Sequence, residues 1–136
     1  MSDVPEKNES ATSPFAMRFP LLLWERLGEL AVKQAAAAGA RETESLNAMC
    51  NRQLAHWVRL LIDGTISLGP ETPPDMLVST KSYKGVTIRM PAGLHSQLNR
   101  ARSTVSIQRT KNVSLNQLVA ELLDLAWQDE MAALEK

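Results

Sequence analysis

The sequence predicts a mainly α fold with one short two-stranded antiparallel β-ribbon, built from two copies of a strand-helix-helix unit in a single chain. Three observations carry this reading. The hexapeptide Phe15-Ala16-Met17-Arg18-Phe19-Pro20 returns in the second half of the chain as Val86-Thr87-Ile88-Arg89-Met90-Pro91. Each copy is followed by a helical run and then by a matching second start, Ser45-Leu46-Asn47 in the first and Ser114-Leu115-Asn116 in the second. Self-similarity of this kind marks a repeated structural unit. Finally, one copy of roughly fifty residues buries too little apolar surface to be comfortable alone, so the two copies are expected to share a core.

Residues 1–13 are polar, charged and poor in large apolar side chains, and read as a disordered arm. The first copy is assigned to residues 14–63. Its strand spans about Phe15 to Phe19, where Phe15, Met17 and Phe19 alternate with Pro14, Ala16 and Arg18, the period of a half-buried strand. Pro20 ends the strand and fits the first helical turn, where its missing N–H costs nothing. Trp24, Leu27, Leu30 and Ala31 recur at helical spacing, and the run through Ala38 stops at Gly39. This first helix, with its alanines Ala35 to Ala38, reads as longer than its counterpart. A second helix opens at Ser45 as N-cap and carries Leu46, Met49, Cys50, Leu54, Trp57, Val58 and Leu61 on one stripe, ending near Asp63-Gly64.

Residues 64–82, with Gly69, Pro70, Pro73 and Pro74, read as a linker. The second copy, residues 83–128, repeats the scheme. Val86, Ile88 and Met90 alternate with Gly85, Thr87 and Arg89, and Pro91 opens a helix carrying Leu94, Leu98 and Ala101. Lys111-Asn112 marks a turn. Ser114 to Gln117 reads as a capping box, with Val113 against Leu118 as its hydrophobic staple. Residues 129–136 read as a charged tail.

Charge balances over the 136 residues, fifteen basic against fifteen acidic, which excludes a general polycation. The distribution is uneven. Lys81, Lys84, Arg89, Arg100, Arg102, Arg109 and Lys111 occur between residues 81 and 120 with no Asp or Glu among them, whereas both ends are acidic. A segregated positive face is one reading of this run, and an ordinary solvated helix face is the other. The single Cys50 forms no internal disulfide and reads as a small core residue. The opening residues lack the basic and apolar stretches of a secretory signal, and no apolar run is long enough to span a bilayer. A cytoplasmic protein without membrane contact is the expectation.

His56 and His95 lack ligand-spaced partners. No glycine-rich phosphate loop or set of nucleophile, base and orienting group occurs, so neither enzyme activity nor a cofactor is expected. Trp24, Trp57 and Trp127 read as core or interface anchors.

A lone strand with one apolar face leaves its ladder of N–H and C=O groups unpaired. Its nearest partner is the strand of the other copy. Antiparallel pairing would seat Phe15, Met17, Phe19, Val86, Ile88 and Met90 on four helices and turn Ala16, Arg18, Thr87 and Arg89 outward, with Lys84 beside them. Pairing within one chain and strand exchange between two chains both satisfy the pattern. A ribbon of this width fits the DNA major groove, where Arg bonds guanine and Thr meets a thymine methyl.

The pattern aromatic-x-Met-Arg-aromatic-Pro, a helix, a turn and a second helix opening Ser-x-Asn resembles the ribbon-helix-helix superfamily, especially its Arc repressor type. Val-Thr-Ile-Arg-Met-Pro with Ser-Leu-Asn resembles it equally, and two motifs in one chain are similar to the tandem proteins of the TraY type in plasmid conjugation. The resemblance implies a pseudo-symmetric dimer inside one chain. It implies base readout by Pro14, Ala16 and Arg18 in one strand and Gly85, Thr87 and Arg89 in the other, with Ser45, Asn47, Ser114 and Asn116 at phosphate clamps and Lys84 and Lys111 on phosphates. Because Pro14 and Ala16 lack hydrogen-bonding side chains, the two half-sites should differ. The expected partner is double-stranded DNA, with a higher oligomer on DNA, and the expected role is a transcriptional repressor or a plasmid transfer accessory factor. The alternative is a protein-interaction module of antitoxin type on the same scaffold.

Overall fold

The computed structural model describes residues 12–68 and 83–135. Most of the expected arm, most of the expected linker and Lys81 lie outside the described residues. The elements run β1 (Thr12–Pro20), α1 (Leu21–Ala38), α2 (Leu46–Ile62), β2 (Tyr83–Pro91), α3 (Ala92–Arg109) and α4 (Leu115–Leu134). The fold is mainly helical with one two-stranded antiparallel sheet formed within the chain. The register pairs Ala16 with Thr87, which are equivalent positions of the repeat. On either side, Pro14 faces Arg89 and Arg18 faces Gly85.

The pleat explains why the ribbon is two-faced. Met17, Phe19, Ile88 and Met90 are fully buried, and Phe15 and Val86 are partly so. They pack with Leu23, Leu27 and Leu30 of α1, Met49, Leu54 and Val58 of α2, Leu94 and Leu98 of α3, and Leu118 and Leu122 of α4 in one cluster. The two copies therefore share a core. Trp24, Trp57 and Trp127 pack at its margin, Trp24 with its ring 5.3 Å from that of Phe19. Cys50 is buried, and burial pushes its thiol up to about 12.

Several boundaries differ from the expectation. β1 begins at Thr12, inside the segment read as an arm, because pairing with β2 continues to Pro91. Helices α1 and α3 have the same length, 18 residues each. The two extra residues of the first copy lie in the turn that follows, between the left-handed Gly39 and Ser45, whereas the second copy turns more tightly between Thr110 and Ser114. Thr110 adopts φ 52 where the first copy uses glycine, a conformation that a β-branched residue adopts only under strain. Helix α4 runs through the expected tail to Leu134, since Glu130 accepts hydrogen bonds from Gln34 and Gln53, each at 3.0 Å.

The capping box forms only by half. The Gln117 N–H donates to Ser114 Oγ at 3.0 Å, but the Gln117 amide turns away to Glu121. Arg109 does not belong to a positive face. It is buried and bonds Glu121 through two nitrogens, at 2.6 and 2.8 Å, while Glu121 holds its charged form in place. Sequence counting missed this because Glu121 falls just beyond the acid-free stretch.

Asp124 is a further buried charge, 2 % exposed, with Arg26 at 3.4 Å and Gln128 at 2.8 Å. Burial raises its pKa, and the bonds from Gln128 and Arg26 only partly oppose this. The folded state thus holds the Asp124 proton more tightly than the unfolded chain, so ionisation costs stability as pH rises above the ordinary carboxylate range. Asp124→Asn should gain stability relative to the natural protein between strongly acidic and neutral pH, measured by urea unfolding at several pH values. A constant difference across that range would contradict the assignment.

Candidate nucleic-acid interface

In a two-stranded antiparallel ribbon the peptide groups of successive residues point alternately toward the partner strand and toward the free edge. The residues whose side chains face away from the helices here are Thr12, Pro14, Ala16 and Arg18 in β1 and Tyr83, Gly85, Thr87 and Arg89 in β2, all exposed. Their peptide groups point to the edges. This is why Pro14 sits in the strand without breaking the ladder.

The edges at the two arginines are closed by side chains from the second helix of the opposite copy. The Arg18 N–H donates to Asn116 Oδ1 at 2.8 Å, and Asn116 Nδ2 donates to the Arg18 carbonyl at 3.1 Å. The Arg89 N–H donates to Asn47 Oδ1 at 2.8 Å, and Asn47 Nδ2 donates to the Arg89 carbonyl at 3.1 Å. Asn51 adds a second bond to that carbonyl at 2.8 Å. Asn47 and Asn116, expected at phosphates, therefore spend their amides on the ribbon. The spacing Ser-x-Asn held this information, but nothing in one sequence says which strand an asparagine will meet.

These contacts fix where the second helices begin. Ser45 and Ser114 cap α2 and α4, accepting from the Ala48 and Gln117 N–H groups at 3.1 and 3.0 Å. The first-turn N–H groups before these have no intrahelical carbonyl to bond. Each helix start thus lies beside the ribbon arginine of the other copy, the start at Ser45 beside Arg89 and the start at Ser114 beside Arg18.

The outward face carries two guanidinium groups and no carboxylate. Along the ribbon the arginines stand four residues apart, since Arg18 pairs with Gly85 and Arg89 with Pro14, a separation of about 13 Å at the usual strand rise. Lys84 has the parity of the covered face, yet it lies at the strand end opposite Phe19 and is exposed. Lys111 is exposed in the turn before Ser114. One residue of this surface was not singled out in the sequence. Tyr83 lies diagonally across from Arg18, with the guanidinium carbon 4.7 Å from its ring centre. Its parity with Gly85, Thr87 and Arg89 was the available signal.

One groove, about 800 Å³, is a shallow surface lined largely by methyl groups such as those of Ala31, Ala35 and Ala38. Among the described residues no three His, Cys, Asp or Glu side chains are grouped to hold a metal, and no helix is long and apolar enough to cross a membrane. No family model, curated protein or solved structure matches this chain.

Removing an asparagine uncovers one N–H and one carbonyl at a solvent-accessible edge. Asn116→Ala should cost about 1–2 kcal/mol in stability, two hydrogen bonds of ordinary net worth, measured by urea unfolding. The Asn47→Ala variant should lose less, because Asn51 still holds the Arg89 carbonyl. Equal losses would contradict that.

Proposed function

We propose that this protein binds double-stranded DNA sequence-specifically as a tandem ribbon-helix-helix protein, its two copies paired within one chain as a pseudo-symmetric dimer. The observation that carries the reading is the outward ribbon face, with two arginines, no carboxylate, and each arginine's main chain held by the second helix of the other copy. The pairing of equivalent positions at Ala16 and Thr87 and the reciprocal asparagine contacts support the pseudo-symmetric arrangement.

In this mechanism the ribbon enters the major groove. Arg18 and Arg89 donate to guanine edges and Thr87 meets a thymine methyl or a base-edge acceptor. Ala16 and Gly85 leave room for close approach. The N–H groups at the two helix starts, with Lys84 and Lys111, hold phosphates on either side and set the register. Because main chain and helix start are tied together at each arginine, base readout and backbone docking are positioned by one contact. A role as transcriptional repressor or as an accessory factor in plasmid transfer or maintenance follows from such binding.

The test is a selection of random-sequence duplexes at about 150 mM salt, where non-specific phosphate binding is already weakened. A short enriched site is expected. Each arginine-to-alanine change should cost about 1–3 kcal/mol on that site and relax selection at one position. Lys84→Ala should weaken all duplexes alike and lower the salt slope by about one. A folded protein that retains no sequence would sink this reading in favour of a protein-interaction module of antitoxin type, for which the Arg18→Ala, Arg89→Ala double variant would keep its partner.

A further inference from the structure

The two ends of the ribbon are built from equivalent positions but not from equivalent residues. At one end Arg18 faces Gly85, with Tyr83 diagonal to it. At the other, Arg89 faces Pro14, with Thr12 at the place equivalent to Tyr83. We infer that the protein, bound to DNA as proposed above, reads a non-palindromic duplex site in which the half under Arg18 dominates, and that Tyr83 is the positioning residue that makes it dominant.

The first support is the stack. A guanidinium lying on an aromatic face keeps its edge nitrogens free, and those are the groups that bond a guanine in a bidentate fork. The ring therefore limits the directions Arg18 samples without consuming its donors. Tyr83 is itself 42 % exposed and has the parity of the outward face, so nothing in the hydrophobic core requires an aromatic there. Arg89 has threonine at the equivalent place, and its side chain must be ordered on binding.

The second support is access. A Cβ built at Gly85 meets no atom within 4 Å, and the residue has no positive φ. The fold does not need glycine at this position, and glycine weakens a strand. Its absent side chain leaves the surface beside Arg18 open to close approach, whereas the ring of Pro14 occupies the surface beside Arg89. The non-hydrogen-bonded pairing at these positions brings opposed side chains near one another, so the difference between a hydrogen atom and a pyrrolidine ring falls directly beside each reader.

The third support is charge. Through Asn116, Arg18 adjoins the helix start at Ser114, whose preceding turn carries exposed Lys111 and no acid. Through Asn47, Arg89 adjoins the helix start at Ser45, whose preceding turn carries exposed Arg41 together with two acids, Glu42 and Glu44. Arg52 bonds Glu44 through two nitrogens at 2.7 and 3.2 Å and is thereby engaged. A phosphate approaching the Arg18 end meets cations, and one approaching the Arg89 end meets carboxylates as well.

The test starts from the duplex that the natural protein enriches from a random pool, with each half then scrambled separately and bound by the natural protein and five variants. Scrambling the half whose selection is lost in Arg18→Ala should cost several-fold more affinity than scrambling the half lost in Arg89→Ala. Tyr83→Ala should weaken binding about 2- to 5-fold, the worth of an exposed cation–π contact, and only on duplexes whose Arg18 half is intact. Tyr83→Phe should retain the natural affinity, which a loss of general folding would not allow. Thr12→Tyr should strengthen the Arg89 half. A palindromic site with equal halves, or Tyr83→Ala binding like the natural protein, would overturn this inference while leaving DNA binding standing. Failure to enrich any duplex would overturn both.

Discussion

A two-stranded ribbon has no interior strand, so half of its peptide groups face outward along two free edges. In a wider sheet the next strand would bond them. Here asparagines do so at the two outward arginines, Asn116 at Arg18 and Asn47 with Asn51 at Arg89, because the pleat couples direction of side chain and direction of peptide. A residue whose side chain leaves the protein core has its N–H and carbonyl on the edge. Closing the edge at Arg18 and Arg89 therefore holds each arginine on the solvent side without touching its guanidinium. The asparagines also stand in the first turns of α2 and α4, so the same bonds anchor the helices whose other faces form the core. Ribbon register, helix placement and the outward arginines depend on this one arrangement.

Much of the architecture was legible in the sequence. Alternation gave both strands and their faces, Pro20 and Pro91 gave the strand-to-helix junctions, and Gly39, Ser45 and Ser114 gave the caps that the structure contains. The boundaries that failed did so for tertiary reasons. Thr12 and Ser13 are polar and become strand because β2 is there to pair with them. The segment after Gln128 looks like a charged tail, but Glu130 takes hydrogen bonds from Gln34 and Gln53 of other helices. Local composition carries no trace of such partners. The turn after α1 illustrates a different limit, since Ala35 to Ala38 make the first helix of the first copy read as long, whereas both first helices have 18 residues and the extra residues lie between Gly39 and Ser45.

The candidate surface was legible to a similar degree. The outward set follows from parity alone, whereas the partners of its members do not. Asn47 and Asn116 were visible as a repeated pair, but their contacts cross between copies and needed the register. Tyr83 shared the outward parity and was passed over because it precedes the repeated hexapeptide. Arg109 shows the opposite error. It was counted among surface cations, and its burial against Glu121 depends on a helix-to-helix contact that no spacing rule announces.

The repeat raises the question of what keeps a first copy paired with a second copy and not with another first copy. Apolar burial discriminates between partners less sharply than polar pairing, since Met17, Phe19, Ile88 and Met90 all enter one shared core. The polar contacts discriminate more sharply. Arg26 meets Asp124 and Gln34 meets Glu130, both linking α1 to α4. In the alignment of the repeat, Asp124 corresponds to Ala55 and Glu130 to Leu61, while Arg26 corresponds to Gln97 and Gln34 to Val105. Two first copies together would face Arg26 with an alanine and Gln34 with a leucine. Two second copies would press Glu130 against a valine and leave buried Asp124 without a cation, and a buried carboxylate without its partner is costly. Only the mixed pair satisfies these groups. A chain that carries both copies is released from the requirement that one surface match itself, and that freedom is what allows Tyr83 and Thr12, or Gly85 and Pro14, to differ at equivalent places on a ribbon whose backbone is held by an equivalent asparagine at both ends.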